Sequence, residues 1–107
     1  MQHITSVEDF VRIIKKNKLT VIDFYTIWCK PCKQIAPFME ALSEKYSEVA
    51  FYKIDAEDYN TKKICESCKI SAYPTFCFFC NSVFQGSVIG SSKQEIEDMI
   101  IDFLKNE

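Results

Sequence analysis

The chain has 107 residues, 48% of them hydrophobic and 26% charged, with a formal net charge of -2. That size buries one core without disulfide staples, so a single domain over residues 1–107 is expected, and the absence of a basic stripe argues against nucleic acid as a partner. Thr5, Ser6, Glu8 and Asp9 interrupt the start, and no apolar run could span a bilayer. Neither a signal peptide nor a membrane segment is therefore expected, and the chain is assigned to the cytoplasm, with the nucleus also open to it, as a monomer. Six cysteines in a reducing compartment are poor candidates for three permanent bridges. Metal binding and catalytic redox chemistry remain.

A short strand is expected at Gln2 to Thr5. Ser6-Val7-Glu8-Asp9 reads as a helix N-cap, followed by an apolar stripe of Phe10, Val11, Ile13 and Ile14 that carries a helix to about Lys16. Leu19 to Tyr25 has the look of a strand covered on both faces, broken by one polar group with a charge, Asp23. Ile35, Phe38, Met39, Leu42 and Tyr46 recur at helical spacing and predict a helix from about Pro31 to Tyr46, bent at Pro37. Val49 to Asp55 reads as a strand. Asp58 or Asn60 can cap a short helix through about Lys69, and Pro74 opens a strand over Thr75 to Cys80. Asn81-Ser82 joins it to a strand at Val83 to Ile89, and Ser91 or Ser92 caps a last helix along Ile96, Met99, Ile100 and Phe103. The order βαβαβαββα argues a mixed sheet with helices on both faces.

Cys29 stands where a strand turns into a helix. Unsatisfied backbone N–H groups and the positive end of the helix dipole there favour thiolate over thiol. Lys30 adds a cation, Pro31 suits the first turn, and Cys32 lies close enough to pair with Cys29. These residues suggest a dithiol that attacks a disulfide through Cys29 and is released when Cys32 attacks in turn. Asp23, poorly solvated in an apolar strand, is the candidate base for Cys32; the plainer reading is a buried carboxylate satisfied by backbone donors.

Cys65-x2-Cys68-x8-Cys77-x2-Cys80 has the spacing of four zinc ligands. Geometry argues against it: in a strand Cys77 and Cys80 point to opposite faces, and neither pair contains a glycine for a tight turn. Cys65 and Cys68, on one helical turn, have Cβ atoms about 5–6 Å apart where a disulfide wants about 3.8 Å. No metal is assigned, and small buried or half-buried hydrophobes are the plainer reading of all four. Cys80, beside a turn, is expected to be the most exposed. His3 reads as a surface residue and Phe76, Phe78 and Phe79 as sheet core.

"VIDFYTIWCKPCKQIAPFMEALSEKY", "AYPTFCFF" and "IGSSKQEIEDMI" together resemble the thioredoxin family, in order and over essentially the whole chain. The resemblance implies a thioredoxin fold, with a central five-stranded mixed sheet flanked by four helices. It further implies a protein-disulfide reductase that contributes to cell redox homeostasis. Such a protein carries no bound cofactor: its redox group is the Cys29–Cys32 disulfide, and its electrons come from NADPH through a thioredoxin reductase. Disulfide-containing proteins would be the substrates. Cys29 matches the exposed nucleophile, Cys32 the resolving thiol, Asp23 the buried carboxylate and Trp28 the aromatic wall. Pro74 matches a cis-proline pressed against the dithiol, leaving the backbone of Tyr73 to pair with an extended substrate; Gly90 and Ser91 match the loop opposite. Cys68 aligns with a regulatory thiol of some animal thioredoxins.

Two residues depart from the family pattern. Lys30 replaces a glycine and should shift the dithiol toward a more oxidising potential by stabilising the thiolate, and Tyr73 replaces a smaller or more flexible residue. Asn81-Ser82 also lacks a glycine common at that hairpin, which leaves its turn type open. Rival readings are an oxidase or isomerase on the same fold, a binding module that only holds a partner in the groove, and a zinc-binding structural domain.

Overall fold

The computed structural model describes residues 1–105, and its elements follow the expected order. They are β1 (Gln2–His3), α1 (Val7–Lys16), β2 (Leu19–Tyr25), α2 (Lys30–Lys45), β3 (Ala50–Asp55), a 3₁₀ turn (Tyr59–Thr61), α3 (Lys62–Ser67), β4 (Thr75–Cys80), β5 (Val83–Ile89) and α4 (Lys93–Lys105). Five strands form one sheet in the order β1-β3-β2-β4-β5. The first three run parallel, and β4 and β5 are antiparallel to their neighbours.

Alternation along the central strands sorts the core into two layers. Leu19, Val21, Phe76 and Phe78 join Ile35, Met39, Leu42, Ile96 and Ile100 under α2 and α4. Ile22, Phe24, Cys77 and Phe79 join Ile13, Ile14, Ile54 and Ile64 under α1 and α3. Every residue of β2 from Leu19 to Phe24 is buried, as a strand covered on both faces requires. Phe76, Phe78 and Phe79 are core, as expected.

Local chemistry sets the boundaries. Ser6 Oγ accepts from the Asp9 amide at 3.1 Å and starts α1. The expected helix after β3 divides in two: Asp58 caps the 3₁₀ turn by accepting from the Asn60 amide at 2.9 Å, and α3 stops at Ser67. It falls short of Lys69 because that residue turns left-handed, at φ 55°. The first strand is shorter than expected, yet the Ile4 amide still donates to the Lys53 carbonyl at 2.9 Å. At α4 the cap is Ser92, whose Oγ accepts from the Glu95 amide at 3.3 Å.

The β4–β5 hairpin turns through Asn81 and Ser82, both at positive φ (49° and 73°), the signature of a type I′ turn built without glycine. Two bonds to the rest of the fold hold this costly backbone. The Asn81 amide donates to the Lys18 carbonyl at 2.8 Å, and Ser82 Oγ donates to the Ile14 carbonyl at 3.2 Å. Further along, the ladder shifts register between Phe78 and Phe79, opposite Gly86 at φ 148°. That bulge needs glycine.

Candidate functional site: a dithiol at the start of a helix

β2 ends at Tyr25, and the turn that follows delivers Cys29 to the N-cap of α2. Cys29 Sγ accepts from the Cys32 amide at 3.2 Å, satisfying one of the donors that a helix leaves open at its start. No acidic residue occupies the first turn, so the positive end of the helix faces the sulfur undiluted. Pro31 sits where its missing N–H costs nothing. Cys29 and Cys32 are joined as a disulfide, with Cα atoms 5.3 Å apart.

In this oxidised state Cys29 is only 4% exposed, which corrects the expectation of an exposed nucleophile. Its sulfur is tied to Cys32, itself 6% exposed. The exposed surface beside the disulfide comes from its neighbours: Ile27 and Trp28 stand out in solvent, as does Ile89 at the end of β5. Lys30 and Pro31 are exposed as well.

Asp23 lies behind the dithiol, buried in the middle of β2. Burial pushes its carboxyl up to about 7, with Lys53 opposing the rise. Among the described residues Oδ1 has no hydrogen-bond partner, so the reading of a carboxylate satisfied by backbone donors does not hold for that oxygen. Lys53 is Asp23's lateral neighbour in the β2–β3 register. A cavity of about 260 Å³ is lined by Asp23, Thr26, Cys32, Ala36, Met39 and Lys53, among others. It joins the carboxyl to the back of Cys32 through a space that water can occupy.

The Tyr73–Pro74 peptide bond is cis. The Tyr73 ring meets the Trp28 indole edge to face, with centroids 6.1 Å apart. The Pro74 carbonyl accepts from the Gly90 amide at 2.8 Å, which brings the loop of Gly90 and exposed Ser91 alongside. Gly90 has φ 99° and open space where a side chain would stand, so its backbone conformation is what calls for glycine. Cys29, Cys32, Trp28, Tyr73, Pro74, Gly90 and Ser91 thus gather around one end of the sheet.

The remaining cysteines lie elsewhere. Cys80 packs with the core under α2 and α4, and Cys65, Cys68 and Cys77 with the core under α1 and α3, so Cys77 and Cys80 do take opposite faces. Cys80 is half-buried, like Cys65 and Cys68, rather than distinctly more exposed. His3 is at the surface but has a partner that its sequence neighbours did not offer, Tyr25 Oη at 2.8 Å. Two site residues went unread in the sequence. Glu57 accepts a hydrogen bond from the Trp28 indole at 2.8 Å, and Lys53 faces Asp23. A lone cation within the strand-like "AFYKID" was the available signal for Lys53.

A profile of the family described as Thioredoxin matches residues 1–104. The thioredoxin-like protein R548 of Acanthamoeba polyphaga mimivirus is 38% identical over 104 residues, covering 95% of this chain and 76% of that one. Homo sapiens thioredoxin is 40% identical over 84 residues, 78% of each chain. Among solved structures, oxidised mitochondrial thioredoxin 3 from Saccharomyces cerevisiae superposes with a TM-score of 0.91 at 33% identity, covering 95% of this chain and 94% of its own. Plasmodium falciparum thioredoxin gives 0.90 at 31% identity, covering 96% and 99%. The chain belongs to the thioredoxin family of protein-disulfide oxidoreductases.

Proposed function

We propose that this protein reduces disulfide bonds in other proteins, with Cys29 as nucleophile and Cys32 as resolving thiol. The observation that carries the reading is the Cys29–Cys32 disulfide at the open start of α2, with a carboxyl poised near neutral pH behind Cys32. In the reduced protein the Cys29 thiolate attacks one sulfur of a substrate disulfide, and the other sulfur leaves and is protonated. Asp23 then takes the Cys32 proton through the shared cavity, and Cys32 attacks the Cys29 sulfur of the mixed disulfide. The substrate leaves as a dithiol carrying two electrons and two protons. The chain returns to the disulfide state.

Ile27, Trp28 and Ile89 offer apolar contact to an extended substrate segment that pairs along Tyr73 and passes Gly90 and Ser91. Recharging is assigned to an NADPH-dependent thioredoxin reductase, and the setting to the cytoplasm, where the protein acts as a monomer in redox homeostasis. Cys68 is the thiol proposed to regulate it. The reading is tested by NADPH consumption with a thioredoxin reductase and a disulfide-bonded protein substrate. Native protein should turn over and Cys29→Ser should not; no turnover by native protein, even after chemical pre-reduction, would favour a binding module instead.

A further inference from the structure

Three cysteines outside the dithiol converge from two elements. Cys77 is wholly buried on β4 and enters the same apolar cluster as Ile22, Phe24, Ile54 and Phe79. Cys65 and Cys68 pack against that cluster from α3 and its C-cap. Cys68 packs against the cluster that holds Cys77, and each thiol is the strongest electrostatic influence on the other, so two sulfurs nine residues apart in sequence face each other.

Their environments divide the labour. Cys68 is half-buried and lines a groove with Phe10, Ile14, Phe79, Ser82 and Phe84, through which a small solute reaches it. Cys77 beside it holds the Cys68 thiol below its ordinary range, while Cys68 and burial push Cys77 up. Cys68 is also beyond the last full turn of α3 and precedes left-handed Lys69, so it can shift toward a partner without breaking a helix interior. Cys65 is the weaker candidate. Burial raises its thiol, with Thr61 opposing the rise.

We infer that Cys68 and Cys77 form a second redox dithiol, separate from Cys29–Cys32, that a hydroperoxide converts to an intrachain disulfide. The Cys68 thiolate attacks one peroxide oxygen; an S–O bond forms, the O–O bond breaks, and the leaving oxygen takes a proton to become water or an alcohol. Cys77, giving up its proton, then attacks the sulfenic sulfur of Cys68; the S–S bond forms and hydroxide departs with that proton as water. Two thiols lose two electrons and two protons to one peroxide. This pairing goes beyond a single regulatory thiol at Cys68 and does not depend on the reductase reading.

The test exposes fully reduced protein to hydrogen peroxide, blocks the remaining thiols, and maps cross-linked peptides by tandem mass spectrometry. Because Cys65 and Cys80 lie close to the pair in sequence, the native chain is compared with Cys65→Ser/Cys80→Ser. An intrachain Cys68–Cys77 link is expected in both and should be lost in Cys68→Ser. That half-buried position is the control of choice, since replacing the wholly buried Cys77 can unfold the chain. A Cys68 that ends as sulfinic acid or as free thiol, a link between two chains, or a link from Cys77 that survives Cys68→Ser would each overturn the inference.

Discussion

The Trp28 indole donates to the Glu57 carboxylate at 2.8 Å across 29 residues of sequence, so the most prominent aromatic beside the dithiol is held by the loop after β3. Trp28 is 64% exposed, and its other ring contact is Tyr73. Glu57→Ala is expected to leave stability within about 0.5 kcal/mol, as surface substitutions do. It should nevertheless free the indole. Time-resolved fluorescence anisotropy of this sole tryptophan should show faster local motion, with a raised KM for protein substrates; unchanged anisotropy would assign the holding of the ring to Tyr73.

Asp23 makes stability depend on pH in the reverse of the usual carboxylate sense. Its folded value of about 7 lies above the ordinary 3.8, so between those pH values the folded chain keeps a proton that the unfolded chain releases. Stability therefore falls as pH rises through that window, and the loss is complete above it; at most it amounts to roughly 4 kcal/mol. Asp23→Asn should be more stable than the native protein at pH 8, with the difference closing toward pH 4 in denaturant titrations. Its mixed disulfides should resolve more slowly at Cys32. A stability difference that is equal at both pH values would contradict a buried, titrating carboxyl.

Lys53 offers a second handle on the same group, because its charge opposes the rise at Asp23. Lys53→Gln is expected to move the pH dependence of the stability difference, and of resolution by Cys32, to higher pH. Carbon-13 NMR of the Asp23 carboxyl in both proteins would read this directly, and an unmoved titration would remove Lys53 from the site.

Lys30 is exposed at the first position of α2, next to Cys29. Its charge favours the thiolate of the reduced form, so Lys30→Gly should lower the reduction potential, by on the order of 10 mV for a screened surface charge. Equilibration against glutathione at two ionic strengths checks this. The shift should shrink at high salt, and an unchanged or higher potential would count against Lys30 as a tuning residue.

Gly86→Ala tests the bulge. The backbone at φ 148° is one that side chains rarely adopt, and an added Cβ would stand 3.1 Å from Met99 Cε. The methionine end can yield, so backbone strain should dominate and cost about 1–3 kcal/mol. Thermal unfolding should show the loss, with the Cys29-dependent reaction retained in the folded fraction.

The dithiol could be read from sequence because everything that shapes it is local: Cys29 to Cys32 are four consecutive residues at a strand-to-helix junction. Asp23 was readable for a related reason, as a charge stands out in an apolar strand whatever it packs against. Lys53 and Glu57 depend instead on which strand lies beside β2 and how the next loop returns to the site. The only local signal for either was the lone cation that Lys53 places in β3. The cysteines divide the same way: strand alternation separates Cys77 from Cys80, but only the packing of α3 on the sheet brings Cys68 to Cys77. The short helix before β4 was overextended because left-handed Lys69 carries no glycine or asparagine to announce it.

The bulge beside Gly86 on β5 also bears on how copies of this chain meet. β5 is an outer strand of the sheet, with Val83, Phe84 and Ile89 exposed, and such a strand invites another chain to add to its free edge. The register shift breaks the regular spacing of its amides and carbonyls partway along, so an approaching strand finds no continuous ladder to extend. A single glycine thereby helps keep an apolar sheet edge from templating aggregation.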